Sequence, residues 1–76
     1  MRKVIIPYAH RSDDLATIYL AIGDGKQPIT AWLPAGRDTI GGKRVIWAKF
    51  DMVPRGVVTV WVRDGSGERP RTQITL

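Results

Sequence analysis

The chain has 76 residues, no cysteine and a formal net charge of +5, from 12 lysines and arginines against 7 aspartates and glutamates. This length predicts one domain, 1–76, with a thin core, and the lack of cysteine excludes disulfides and thiolate metal sites as reinforcement. No signal peptide or transmembrane segment is recognisable, so we expect a complete small reading frame translated in the cytoplasm.

The positive charge is concentrated in the second half of the chain. Residues 39–76 hold seven basic and three acidic side chains, and the densest stretch contains Lys43, Arg44, Lys49 and Arg55. Charge of this sign attracts phosphates and acidic surfaces. No run of four or more basic residues occurs, so we expect a folded basic face and not a nucleic-acid tail.

Glycine and proline recur every eight to twelve residues, a spacing typical of small β-folds. Between them lie short segments rich in β-branched and aromatic residues, which favour strands. The sequence therefore predicts an all-β fold, a small antiparallel β-barrel or β-sandwich of five or six short strands. The predicted strands cover residues 2–6, 29–33, 44–50, 57–63 and 71–76.

Turn residues connect these segments. Residues 64–67 predict a hairpin turn between the last two strands, with Pro70 at the start of the returning strand. Residues 23–25 predict a second turn leading into the strand at 29–33. Residues 12–22 suit either a strand or a helix, because their apolar residues fall at helical spacing but are mostly strand formers.

The predicted strands carry apolar side chains on both faces. In residues 57–63 both alternating sets are apolar, and the same holds for 44–50. When one face of a sheet is exposed to solvent, its strands are expected to alternate apolar and polar residues. We expect one face to meet a protein partner or a second subunit, unless the segment 12–22 covers it.

Residues 34–43 are predicted to form the longest loop. Loops on β-scaffolds often carry recognition, and Arg37, Asp38 and Ile40 are candidate partner contacts together with Trp47. Alternatively, the loop is a connector with Ile40 folded inward.

The three tryptophans have two interpretations. Trp32 and Trp61 are expected in the core, whereas core and surface positions remain open for Trp47. Aromatic residues among basic ones on a sheet are how proteins bind single-stranded nucleic acid. The residues of such a surface would be Lys43, Arg44, Trp47, Lys49 and Arg55.

No set of residues predicts catalysis. His10 is the single histidine, and a loop position is expected for it, the alternative being a polar cluster with Tyr8, Asp13 and Asp14. We expect no enzymatic activity, metal, cofactor or small-molecule substrate.

These observations favour a non-enzymatic structural or interaction subunit that packs against a larger assembly, as a homo-oligomer or with a protein partner. A virus or phage particle would be a natural setting for so short a gene, and no membrane association is expected. The alternative is a basic β-barrel that binds single-stranded nucleic acid.

Overall fold

The computed structural model describes residues 1–9 and 18–76, which form two packed antiparallel sheets without a helix. The predicted all-β fold is confirmed, although the described residues contain seven strands and the sheets do not close into a barrel. The strands are β1 (Arg2–Pro7), β2 (Tyr19–Gly23), β3 (Leu33–Pro34), β4 (Gly36–Ile40), β5 (Lys43–Phe50), β6 (Val57–Asp64) and β7 (Gly67–Thr75).

The three-stranded sheet has the order β1-β5-β4, and the four-stranded sheet has the order β3-β2-β6-β7. Only Ala35 separates β3 from β4, and its N–H donates to the Ile18 carbonyl at 2.8 Å. The chain therefore passes directly from one sheet to the other at this corner.

The core lies between the sheets and follows the two-residue period of strands. Alternate residues point inward because successive side chains of a strand alternate between its faces. Most of the inward side chains are β-branched, which suits the pleated surface of a sheet. They are Val4, Ile6, Ile46, Ala48 and Phe50 from the three-stranded sheet, and Leu20, Ile22, Val58, Val60 and Val62 from the four-stranded sheet.

A polar contact links the two sheets at one end. Tyr8 follows β1, and its hydroxyl donates a hydrogen bond to the carboxylate of Asp64, the last residue of β6. The guanidinium of Arg71 lies 5.0 Å from the centre of the Tyr8 ring. Hydrogen bonds from the Tyr8 hydroxyl and from Ser66 stabilise the charged carboxylate, and they lower the pKa of Asp64 to about 2.

The prediction of a long loop at residues 34–43 was wrong. Most of this segment is β4, which pairs antiparallel with β5 from Gly36–Trp47 to Ile40–Lys43. Gly41 and Gly42 have φ angles of 58° and 79°, the conformation that a two-residue hairpin turn requires. The glycines thus form a tight turn and not a mobile connector.

The strand predicted at residues 29–33 was also wrong, since of these residues only Leu33 belongs to a strand. The predicted turn after Gly23 is present, but after an isolated bridge between Gly23 and Pro28 regular pairing with β2 resumes only at Leu33. The N–H groups of Ile29 and Thr30 both donate to the Ile22 carbonyl, at 2.7 and 3.1 Å. The Thr30 hydroxyl accepts the Ile22 N–H at 2.9 Å, so a side chain satisfies the donor that a neighbouring strand would otherwise use.

Two further predictions concerned the segment 12–22 and the position of Pro70. In the segment 12–22, residues 19–22 lie in strand β2, and residues 12–17 lie outside the described residues. Pro70 lies within β7 and not at its start, opposite Trp61 where the register shifts by a bulge. β7 pairs only with β6 among the described strands, so proline is tolerated at this open edge.

Candidate interaction surface

The outer side of the three-stranded sheet brings several candidate residues together. Residues directly opposite in an antiparallel pair point to the same side, so the register defines one continuous surface. We call this surface the Trp47 face, and it comprises Lys3, Ile5, Pro7, Gly36, Asp38, Ile40, Lys43, Val45, Trp47 and Lys49.

Trp47 occupies the centre of this face, on the middle strand. Ile5 is registered on one side of it and Gly36 on the other. Because Gly36 has no side chain, the indole ring lies against the β4 backbone. The ammonium group of Lys3 lies over the ring, 4.5 Å from its centroid, which is a cation–π distance. Trp47 is therefore half-buried by its own sheet.

Apolar and charged side chains surround Trp47. Ile5 is 42% exposed and Ile40 is 52% exposed, which is unusual for isoleucine. Three lysines and one aspartate share the face with them. The surface thus has an apolar centre at Ile5 and Trp47, with Lys3 over the indole ring and a lysine near each end of β5.

The predicted partner contacts are only partly brought together. Asp38, Ile40 and Trp47 lie on the Trp47 face, whereas Arg37 is registered opposite Ile46 and therefore belongs to the other side of the sheet. The alternative in which Ile40 folds inward was wrong, because β4 is an edge strand and position 40 faces outward.

The predicted nucleic-acid residues divide into three locations. Lys43 and Lys49 share the Trp47 face, but they lie at opposite ends of β5, about 20 Å apart at the rise of an extended strand. Arg44 belongs to the opposite side of β5, and Arg55 is exposed in the connection between β5 and β6.

A cleft at the Lys43 end of β5 collects further positive charge. Its volume is about 570 Å³, and its lining includes Lys43 and Arg44 from β5 and Arg71 from β7, beside Tyr8. Arg71 was not among the predicted residues, because β5 and β7 belong to different sheets and no local pattern places their ends together. We call this feature the Arg71 cleft.

No family model, curated protein or solved structure matches this chain. Among the described residues, no group of three histidine, cysteine, aspartate or glutamate side chains is placed to hold a metal ion. Nor does any helix in that part of the chain have the length and apolar character to cross a membrane. His10, Asp13 and Asp14, which were considered as a polar cluster, lie outside the described residues.

The expected core positions of Trp32 and Trp61 were wrong, since both are half-buried outside the core cluster. Trp61 lies on the outer side of the four-stranded sheet, with its Nε1 atom against Gly23. That Nε1 is buried and has no hydrogen-bond partner among residues 1–9 and 18–76. The inward positions of the core hold aliphatic residues and Phe50 instead.

An arginine covers the aromatic residues of the four-stranded sheet. The Arg63 guanidinium lies 4.7 Å from the centroid of the Tyr19 ring and 4.8 Å from that of Trp32. It also approaches Glu68 at 3.6 Å. These contacts hold the segment that carries Trp32 against the sheet, so this outer side is partly covered by the chain itself.

Proposed function

We propose that this protein is a non-enzymatic interaction subunit that packs against an acidic protein surface through the Trp47 face. In this proposal it is an accessory component of a larger assembly, for which a virus or phage particle is one setting. The observation that carries the proposal is that two exposed isoleucines share this face with Trp47 and three lysines, Ile5 directly opposite Trp47 and Ile40 opposite Lys43.

The composition of the face supports a protein partner. Protein interfaces combine a desolvated centre rich in aromatic residues with a polar rim. Ile5 and Trp47 supply such a centre, and apolar side chains of this exposure gain from burial at roughly 25 cal/mol per Å². Exposed apolar side chains contribute little to the binding of a phosphate backbone.

The charge of the face supports an acidic partner. Lys3, Lys43 and Lys49 are opposed on the face only by Asp38, and the whole chain carries +5. Complementary charge speeds association and selects the orientation of a partner. A second copy of the same face would bring like charges together, which disfavours self-association through this surface.

A display selection tests the proposal even though the partner is not identified. Random peptides are selected on the wild-type protein and then counter-selected on the Ile40→Glu variant, which places a negative charge on the face. We expect enriched peptides that combine acidic with aromatic or aliphatic residues, and that shift the amide signals of Ile5, Trp47 and Ile40 in NMR spectra.

The matched control is Val57→Glu, which places the same charge on an exposed β-branched residue of the other sheet. Selected peptides should bind this variant like the wild type. Peptides without acidic enrichment, or peptides that bind Ile40→Glu and wild type equally, would contradict the proposal.

A second candidate function is the binding of single-stranded nucleic acid. The observation that favours it is the Arg71 cleft, where Lys43 and Arg44 of β5 and Arg71 of β7 line one cavity. Against it, Trp47 is already contacted by Gly36 and Lys3, so a base would have to displace the lysine in order to stack.

Tryptophan fluorescence distinguishes the two candidates. The protein is titrated with a single-stranded oligonucleotide at about 50 and 300 mM salt, since phosphate contacts release counterions and weaken steeply with salt. Quenching that falls with salt, and that is reduced in the triple variant with Lys43, Arg44 and Lys49 changed to alanine, would favour nucleic acid. No response at low salt would exclude it.

A further inference from the structure

A groove at the opposite end of the molecule from the Arg71 cleft is lined by apolar side chains. It lies between residues 29–33 and the 50–54 segment and has a volume of about 470 Å³. Its lining includes the buried Phe50 and the half-buried Leu33. We call this feature the Met52 groove.

Three strongly exposed side chains surround the groove. Met1 is 87% exposed, Met52 is 86% exposed and Ile29 is 58% exposed. These are half of the large apolar residues that are exposed in the described part of the chain. Methionine is unbranched and flexible, so it fills irregular apolar cavities well. The groove and its surrounding side chains therefore have both the recess and the projections of an apolar interface.

The charged side chains that line the groove are balanced in sign, unlike those of the Trp47 face. Lys49 and Asp51 both contribute to the lining, one residue of each sign and two positions apart. A two-fold axis places each residue of a patch against a different residue of the same patch on the second copy. Under such an axis, Lys49 of each copy can meet Asp51 of the other. The patch is thus complementary to itself in charge.

We propose that the Met52 groove is the interface of a symmetric homodimer, in which Met52 of each copy enters the groove of the other. The Lys49–Asp51 pairs form twice around this apolar centre and set the orientation of the two copies. The dimer uses a surface other than the centre of the Trp47 face, so it goes beyond the proposed binding of an acidic partner. It leaves Trp47, Ile5 and Ile40 accessible on each subunit.

Exchange of charges between the two residues tests this symmetry directly. The Lys49→Asp chain carries two carboxylates in the patch, and the Asp51→Lys chain carries two ammonium groups. Each variant alone would bring like charges together twice across the axis. We expect the dimer of either variant to weaken at least tenfold, and the equimolar mixture of the two to recover a dimer, because both pairs are then of opposite sign.

Sedimentation equilibrium over a wide range of protein concentration measures these states. We expect wild-type protein to approach twice its monomer mass of 8.5 kDa as the concentration rises. Met52→Glu should abolish the dimer, since it places a charge in the apolar centre. Lys26→Asp is the matched control for Lys49→Asp, because Lys26 is exposed in the turn after β2 and is absent from the groove lining.

The proposal would be overturned if the wild-type protein remained monomeric at all concentrations. It would also be overturned if the mixture of Lys49→Asp and Asp51→Lys dimerised no better than either variant alone, or if Met52→Glu still dimerised. Circular dichroism of each variant identifies a loss of folding, and the recovery in the mixture cannot occur with unfolded chains. Ile40→Glu should still dimerise, so failure of the acidic-partner proposal and failure of the dimer give different results.

Discussion

The indole ring of Trp47 lies directly against Gly36, the residue registered opposite it on the neighbouring strand. A Cβ atom at position 36 would come within 2.7 Å of the Trp47 Nε1 atom and would overlap the six-membered ring. In the other sheet, the Nε1 atom of Trp61 approaches Gly23 diagonally, and the Gln27 carbonyl also lies against this glycine. The Trp47 ring thus covers a strand glycine, which by itself would weaken the sheet.

The first prediction follows from this contact. Gly36→Ala should lower the free energy of unfolding by about 1–3 kcal/mol, because the added methyl group displaces the ring or the strand. Urea denaturation followed by far-UV circular dichroism measures the change. Gly65→Ala is the control, since a Cβ there meets no atom within 4 Å and that glycine has no positive φ. Equal stability of the two variants would contradict the packing argument.

The second prediction concerns the pH dependence of stability. The pKa of Asp64 is lowered from 3.8 to about 2, chiefly by the Tyr8 hydroxyl. A carboxylate with a lowered folded-state pKa stabilises the protein above its unfolded pKa, and this contribution is lost as the pH falls toward the folded value. Tyr8→Phe should therefore cost about 1 kcal/mol at neutral pH, with a smaller difference from wild type near pH 2.

Denaturation curves at several pH values test this second prediction. Tyr19→Phe is the matched control, because among the described residues the Tyr19 hydroxyl has no hydrogen bond, while its ring contacts Arg63. Its difference from wild type should not depend on pH between about 2 and 7. A Tyr8→Phe difference that is equally constant would show that the Tyr8 hydroxyl does not stabilise the carboxylate.

The third prediction concerns Thr30, whose hydroxyl accepts the N–H of the fully buried Ile22. Thr30→Val keeps the shape of the side chain and removes the acceptor. A buried N–H without a partner costs about 1–3 kcal/mol, and we expect a loss of stability in that range together with faster hydrogen exchange at Ile22. Thr75→Val, at the exposed end of β7, is the control and should change little. Unchanged exchange at Ile22 would refute this assignment.

The fourth prediction concerns Arg63, which stacks on Tyr19 and Trp32. Arg63→Ala should cost about 1 kcal/mol and speed hydrogen exchange at the Leu33 amide, because the segment before β3 loses its contact with the sheet. Glu68→Gln removes only the ion pair between exposed side chains, at 3.6 Å, and should cost less than about 0.5 kcal/mol. If Glu68→Gln costs as much as Arg63→Ala, the ion pair and not the stacking holds the segment.

Local sequence patterns predicted the strands well where the side chains themselves favour extended structure. Residues 57–63 and 44–50 are rich in β-branched and aromatic residues, and both lie in strands of eight residues. The edge strand β4 was missed, since its residues, Gly-Arg-Asp-Thr-Ile, include few strand formers. That segment is a strand because the Gly41–Gly42 turn aligns it with β5.

The candidate surface was predicted in part. Trp47, Lys43 and Lys49 were selected because an aromatic residue lies among basic ones in one segment, and these three do share a side of β5. Lys3, Ile5 and Arg71 were missed, because their positions depend on the register of β1 with β5 and on the packing of the two sheets. Neither relationship produces a pattern within a short stretch of sequence.

The sequence by itself determined the fold class, the positive charge and the absence of thiol chemistry, since these depend on composition and on the two-residue period of strands. Only the tertiary structure decided which apolar residues remain outside the core. Both sides of β5 and β6 are apolar in sequence, but the narrow space between two sheets admits one side of each. Trp47 and Trp61 lie on the other side, next to Gly36 and Gly23 of the neighbouring strands.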